Sequence, residues 1–122
     1  MKFVKLYKAA SPGPVVRVKY CDTFFSNFLG LMFKKDLEPD GGVLLVENRE
    51  SRLNTAIHML FMNFDLAVLW LDADLVVVDK VLARKWVPLY VPRQPAQYVA
   101  ELHPSRYSEF EVGEQLALEE QG

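Results

Sequence analysis

The chain has 122 residues, of which 51% are hydrophobic, and its 14 Lys and Arg stand against 16 Asp and Glu for a formal charge of −2. A chain of this length fits one domain with its own core, so we predict a single globular domain over residues 1–122. Its one cysteine, Cys21, excludes an internal disulfide and favours a reducing compartment. The slightly acidic balance excludes a chain-wide attraction for nucleic acid, which only a local basic patch could supply.

Neither an export signal nor a membrane span is expected. Residues 1–8 interleave cations with apolar residues and lack the uninterrupted apolar stretch of a secretory signal. The most apolar region, residues 57–78, is interrupted by Asp65, Asp72 and Asp74, which a bilayer interior would penalise. We therefore expect a soluble, cytoplasmic protein with no membrane partner.

The first predicted elements are a strand and a helix. Residues 15–20 alternate between valine or tyrosine on one face and cations on the other, which predicts a half-buried strand. In residues 23–32, Phe24, Phe28 and Leu31 recur at helical spacing after a capping residue. This pattern predicts one short helix.

The middle of the chain favours strands. Residues 43–46 form a short apolar run after a turn signal, which predicts a strand buried on both faces, and residues 47–54 are typical of a polar loop. Residues 66–71 and 75–82 are rich in Val and Leu and are joined by the polar linker 72–74. They predict a β-hairpin at the centre of the core.

The last third of the chain contains extended segments. Three prolines in residues 84–95 remove backbone donors, so this stretch is predicted as a sheet edge or an extended loop. Residues 98–102 and a short segment around 116–118 resemble strands, and residues 119–122 are predicted as a frayed tail. The whole pattern predicts a mainly β sandwich or barrel with one short helix, since no helices alternate with the strands.

Four motifs carry a family resemblance. They are Gly-Leu-Met at residues 30–32, an apolar run after two glycines at 41–46, Ile-His-Met-Leu-Phe-Met at 57–62 before a strand ending at Asp72, and Tyr-Val-Ala-Glu-Leu at 98–102. In order and spacing they resemble the domain-of-unknown-function 192 family, also called uncharacterised protein family 0127, over about residues 15–118. The resemblance implies a small jelly-roll-like β domain with no established enzymatic activity.

The chain departs from this family pattern at three positions. Phe28 stands where the family often has a basic residue, and Asp65 and Ala67 stand where it often has proline and aspartate. If that aspartate carried chemistry in relatives, this chain has lost it or moved it by two positions to Asp65, which in a strand keeps the same face.

Three residues are candidates for acid/base catalysis. His58 and Glu101 both lie in family-like segments, and a carboxylate beside an imidazole would raise the histidine pKa. Asp65 is a third candidate. The alternative for His58 is a core or edge histidine with a satisfied ring nitrogen. The alternative for Glu101 is a carboxylate that points to solvent or finds a buried partner.

Other reactive side chains have simpler explanations. Asp72 and Asp74 suit a hairpin turn, and Cys21 suits a small buried hydrophobic position. His58, His103 and Cys21 lack the spacing of metal ligands, so we predict neither a metal nor another cofactor.

Cations and aromatic rings are interleaved in the proline-rich stretch and the strand after it. The predicted binding residues are Arg84, Lys85, Trp86, Tyr90, Arg93 and Tyr98. Such rings and cations can contact sugars or the side chains of a partner, whereas the alternative is a solvated sheet edge protected from aggregation.

Two functions follow from these candidates. The first is a non-catalytic binding or interaction module for an unknown protein or small-molecule ligand, with carbohydrate included. The second is a small acid/base hydrolase that uses His58 and Glu101. We expect a monomer or a weak dimer and no strong nucleic-acid signal.

Overall fold

The computed structural model describes residues 2–10, 13–21, 36–39 and 41–120. The helix predicted over residues 23–32 lies outside them, as does Phe28. About half of the described residues lie in strands, and among them the one helix is a short 3-10 helix, Pro104–Glu109. The prediction of a mainly β fold is therefore confirmed.

Seven strands form one curled sheet, a half-barrel. The strands are β1 (Lys2–Lys8), β2 (Val15–Cys21), β3 (Gly42–Ser51), β4 (Leu66–Leu71), β5 (Val77–Ala83), β6 (Ala96–Leu102) and β7 (Leu116–Glu120). Their order in the sheet is β5-β4-β6-β3-β2-β1-β7. Only β2 and β3 pair in parallel; the other neighbours are antiparallel.

The curl brings the two ends of the sheet together at one corner. The backbone N of Val77 donates to Glu114 O at 3.0 Å, and the N of Leu116 donates to Leu75 O at 3.0 Å. Gly113, with a φ of 95°, donates from its N to Val77 O at 2.8 Å. These bonds satisfy backbone groups at the start of both edge strands, so that corner of the half-barrel is closed.

The hairpin predicted at the centre of the core is formed by β4 and β5, and its first strand lies in the core. β4 is buried along its whole length, whereas β5 is an edge strand. The predicted strand at residues 98–102 lies within β6, between β4 and β3. The order of segments in the sequence did not reveal the edge position of β5, because β6 inserts between β3 and β4 from a distant part of the chain.

The sheet buries its inner face along most strands, and its outer face is buried along parts of β3, β4 and β6. The inner core contains Val4, Leu6, Val16, Val18, Leu44, Leu69, Ala100, Leu102 and Phe110. On the outer side, Ile57, Met59 and Met62 pack against residues of β3, β4 and β6. The indole Nε1 of Trp70 donates to Thr55 O at 2.7 Å and attaches this outer layer to the sheet.

Three boundaries differ from the sequence predictions. The strand predicted at residues 43–46 continues as β3 to Ser51, with a register shift against β6, so most of the predicted polar loop is a strand. Residues 2–8, for which no element was predicted, form β1. Glu119 and Glu120 belong to β7 and pair with β1, so they are not part of a frayed tail. The segment 84–95 is irregular, as predicted.

Gly42 marks the closest backbone approach between β3 and β6. A Cβ at this position would lie 2.7 Å from Glu101 O and 2.9 Å from Leu102 Cδ2. Gly42→Ala should therefore destabilise the protein by about 1–3 kcal/mol, because the two strands must separate. Urea unfolding monitored by fluorescence measures the change.

Gly41→Ala is the matched control, since the nearest atom to a Cβ at residue 41 is Glu38 O at 3.4 Å. We expect a much smaller loss of unfolding free energy there. Equal losses in the two variants would contradict the close-approach explanation.

Candidate functional site

Arg84, Lys85 and Trp86 form an exposed turn directly after β5. The backbone N of Trp86 donates to Met59 O at 2.7 Å, and the N of Met59 donates to Val87 O at 2.8 Å. The turn is therefore fixed to the outer layer by backbone hydrogen bonds, and its side chains point away from a rigid support.

Trp86 contacts Phe61, and the two rings form an exposed pair. Their centroids are 5.2 Å apart and their planes meet at 62°, an edge-to-face arrangement. Phe61 is 44% exposed and Trp86 is 53% exposed. Both have a left-handed backbone, with φ of 63° and 70°, which is costly for bulky residues. The fold thus holds two large rings at the surface in strained conformations.

Asp65 organises this turn. Its Oδ1 accepts a hydrogen bond from the N of Lys85 at 2.9 Å, and its Oδ2 lies 3.6 Å from Nη1 of Arg84. Asp65 lies just before β4, whereas Ala67 is fully buried in the inner core. The contacts of Asp65 within the described part of the chain therefore join it to the basic turn.

Of the remaining predicted binding residues, Tyr90 lies beside the turn, whereas Arg93 and Tyr98 lie elsewhere. Tyr90 packs against the outer core, and its hydroxyl accepts a hydrogen bond from the N of Arg84 at 2.9 Å. The backbone N of Arg93 donates to Asp79 Oδ2 at 2.9 Å, in the first half of β5. Tyr98 packs against the inner core, on the opposite face of the sheet, and burial raises its pKa. The structure brings together Arg84, Lys85, Trp86 and Tyr90, and it adds Phe61.

His58 lies in the outer layer between the buried residues Ile57 and Met59. Its Nδ1 accepts a hydrogen bond from the N of Leu60 at 3.2 Å, and burial lowers its pKa. No hydrogen bond or ion pair links His58 to Glu101 among the described residues. This geometry is that of a histidine whose ring nitrogen has a hydrogen-bond partner, which is the alternative given above for His58.

Glu101 is a buried acid in the middle of the sheet. It lies on β6 opposite Val43 of β3 and Val68 of β4, and it is 7% exposed. Burial raises the pKa of its carboxyl to about 7. Within the described part of the chain, no hydrogen bond or ion pair to its carboxylate is present. A buried acid that titrates near neutrality is a candidate for chemistry or for a pH response.

The other reactive residues have structural roles. Asp72 Oδ1 accepts from the N of Asp74 at 2.9 Å and from the N of Val76 at 3.0 Å, as expected for a turn. His103 Nδ1 accepts from the N of Ser105 at 3.1 Å at the start of the 3-10 helix, and Cys21 is buried at the end of β2.

The described residues contain no group of three or more His, Cys, Asp or Glu that could hold a metal ion. No helix among them is long and apolar enough to cross a membrane.

Comparison with known proteins identifies the family. The family model DUF192, described as an uncharacterized ACR, matches residues 7–118. The chain belongs to the DUF192 family. The UPF0127 protein of Thermococcus kodakarensis is 44% identical over 85 residues, which are 70% of this chain and 52% of that protein. The UPF0127 protein of Pyrococcus furiosus is 37% identical over 86 residues, which are 70% of this chain and 71% of that protein. The match thus spans about half the length of the Thermococcus relative.

Two solved structures have the same fold at low sequence identity. A protein of Sinorhizobium meliloti 1021 superposes with a TM-score of 0.81 at 20% identity, over 96% of this chain and 92% of that one. A protein of unknown function from Novosphingobium aromaticivorans superposes with a TM-score of 0.75 at 17% identity, over 94% and 83%. Family and fold are therefore known, and they assign no activity.

The buried carboxyl of Glu101 makes stability depend on pH. The folded state keeps this proton up to a pH of about 7, whereas an unfolded glutamate loses it near 4.5. The folded state therefore binds more protons between these values, so this contribution to stability falls as pH rises, by on the order of 3 kcal/mol in total. Glu101→Gln should remove this decrease and be more stable than the natural chain at pH 8.

Urea unfolding free energies between pH 5 and pH 8 measure this effect. Glu38→Gln is the control, because Glu38 is exposed and its loss should leave the pH profile unchanged. A Glu101→Gln profile that still falls like that of the natural chain would contradict the assignment of the pH dependence to Glu101.

Proposed function

We propose that this chain is a non-catalytic binding module whose contact surface is the aromatic turn surface, defined as Phe61, Arg84, Lys85 and Trp86. The observation that carries the proposal is the exposed edge-to-face pair of Phe61 and Trp86, both with a left-handed backbone. Strain of this kind concentrates at functional positions, and exposed rings add little to the stability of the core.

The composition of this surface suits a protein interface. Trp and Arg are enriched among residues whose truncation weakens binding most. Asp65 and the backbone bonds to Met59 hold the turn in place, so little conformational entropy is lost when a partner binds. The surface is thus preorganised for binding.

The ring geometry favours a protein partner over carbohydrate. Rings in contact at 62° leave no parallel slot into which a flat ligand could insert. They form one projecting apolar ridge beside Arg84 and Lys85, which fits an apolar pocket with carboxylates at its rim. Carbohydrate remains the second ligand class, since one exposed ring face can stack on a sugar.

A binding role is compatible with the description of one structural neighbour. The Sinorhizobium structure is described as a candidate transcription regulator, and the other structural neighbour has no known function. We place this binding module in the cytoplasm, where its lone cysteine would stay reduced.

Trp86→Ala tests the binding surface. Because Trp86 is half exposed and outside both cores, we expect the unfolding midpoint to change little. We also expect at least a tenfold loss of affinity for the proteins that the natural chain captures from lysate. A tenfold loss equals about 1.4 kcal/mol of binding free energy. Affinity capture followed by quantitative mass spectrometry measures it.

Leu53→Ala is the matched control for this experiment, since Leu53 is 80% exposed and lies in a different loop. This variant should capture the same proteins as the natural chain.

A glycan array probed with the natural chain and with Trp86→Ala tests carbohydrate as the ligand class. Unchanged binding of every ligand by Trp86→Ala would refute the proposed surface.

A small acid/base hydrolase is the second candidate, and one observation favours it. Glu101 is buried with a pKa of about 7, which suits proton transfer at neutral pH. In this hypothesis Glu101 is the general acid or base, and His58 would have to approach it when substrate binds.

Turnover of p-nitrophenyl acetate, phosphate and glycosides tests the hydrolase hypothesis. A true activity should change around pH 7, disappear in Glu101→Gln and persist in Glu38→Gln. Absence of turnover above the uncatalysed rate for every one of these substrates would rule against it.

A further inference from the structure

A serine and a histidine lie in hydrogen-bond contact where β6 passes into the 3-10 helix. The hydroxyl Oγ of Ser105 lies 2.7 Å from Nδ1 of His103, and the backbone N of Ser105 donates to the same Nδ1 at 3.1 Å. Pro104, between them, has a fixed φ and so restricts the chain that joins the two side chains. Neither residue belongs to the aromatic turn surface or to the hydrolase hypothesis, so this pair is independent of both functions.

The two hydrogen bonds fix the direction of the hydroxyl proton. Nδ1 of His103 accepts from a backbone N–H, so it carries a lone pair and the ring proton is on Nε2. The hydrogen in the 2.7 Å contact therefore belongs to Ser105, whose Oγ–H donates to Nδ1. A serine hydroxyl that donates to a neutral imidazole is a nucleophile with an adjacent general base.

Helix capping explains only part of this geometry. The backbone N–H of Ser105 needs one acceptor, which His103 supplies as the N-cap residue. Asn, Asp, Ser and Thr are the side chains that favour this position, and each would accept the same bond. An imidazole differs from them because it is a base strong enough to take a hydroxyl proton near neutral pH.

The pair lies on a rigid support. The next residue, Arg106, donates from Nε to Pro39 O at 2.7 Å, and its Nη1 lies 2.8 Å from Glu109 Oε1. Tyr107 packs against the inner core. Ser105 itself is exposed, so its hydroxyl is accessible to a small molecule while the helix that carries it is held in place.

The surroundings of Ser105 restrict its substrates to activated acyl compounds. Two N–H groups of the first helical turn already have partners, since Ser105 N donates to His103 Nδ1 and Arg106 N donates to His103 O at 3.0 Å. Neither is free to stabilise the oxyanion that forms when a carbonyl is attacked. Compounds with a good leaving group need least of this stabilisation, so aryl esters, thioesters and acyl phosphates are the expected class.

We propose that Ser105 is an acyl-acceptor site with His103 as its general base. The Oγ of Ser105 attacks the acyl carbon and forms an ester bond, while its proton passes to Nδ1 of His103. The bond between the acyl carbon and the leaving group breaks, and the leaving group departs with the bonding electron pair. It then receives the proton from Nδ1, which restores the neutral imidazole and leaves acyl-Ser105.

Incubation of the natural chain with p-nitrophenyl acetate tests this proposal. Mass spectrometry of proteolytic peptides follows the acetylation rate of each site, and hydroxylamine distinguishes the serine ester, which it cleaves, from acetyl-lysine, which it leaves. Ser108 is the internal control, because it is exposed on the same helix and has no histidine contact in the described part of the chain. Ser105 should be acetylated at least tenfold faster than Ser108, as expected from general base catalysis.

His103→Asn separates general base catalysis from helix capping. Asn is a favoured N-cap residue, so its side-chain oxygen can accept from Ser105 N, but an amide does not take the hydroxyl proton. Acetylation of Ser105 should fall at least tenfold, towards the rate of Ser108, while the urea unfolding midpoint stays close to that of the natural chain.

Three results would overturn the proposal. They are the absence of an acetyl ester at Ser105, equal acetylation rates of Ser105 and Ser108 in the natural chain, and undiminished acetylation of Ser105 in folded His103→Asn. The first two comparisons use the natural chain alone, so they hold even if the variant does not fold.

Discussion

Burial of both faces of β3, β4 and β6 is the constraint on which the rest of the structure depends. β4 is apolar along its whole length, and β3 and β6 each contain an apolar run, at residues 43–46 and 98–100, so one layer inside the half-barrel cannot cover both of their faces. A second layer, including Ile57, Met59 and Met62, covers the outer face. Backbone hydrogen bonds between Ile57 and Tyr90 and from the N of Met59 to Val87 O join this layer to the segment after β5. The aromatic turn surface is held in place by this covering layer.

The same layer explains why Glu101 is unusual. An acid at its position on β6 lies on the half of the outer face that is covered, so its carboxylate loses water without gaining a described hydrogen-bond partner. Two strands away, Lys19 lies on the same outer face and is half-buried. The covering layer thus accounts for the burial of Glu101.

Much of the fold could be predicted from local patterns. The alternation at residues 15–20, the paired runs at 66–71 and 75–82 and the strand at 98–102 all correspond to observed strands. β1 was missed because lysines at both ends of the segment obscure the alternation around Val4 and Leu6. β3 extends through polar residues because pairing with β6 continues at Ser51, beyond the register shift.

The site was harder to predict than the strands. Arg84, Lys85 and Trp86 were expected at the surface because cations and rings are interleaved there, and they lie together. Phe61 was missed because it belongs to an apolar run, and no local pattern shows that its backbone is left-handed and its ring exposed. Tyr98 was grouped with the turn although it faces the inner core, since alternation alone does not say which face of β6 is inside.

The sequence by itself determined the mainly β class, the family, the turn at Asp72 and the absence of an internal disulfide, since each depends on composition or on short-range pattern. Only the tertiary structure decided which residues share a surface. The contact of Phe61 with Trp86, the pairing of Lys5 with Arg17 and the burial of Glu101 all depend on strand register and on segments distant in the chain. Register is set by long-range hydrogen bonds and by which face is covered, and neither is encoded in the local alternation of residues.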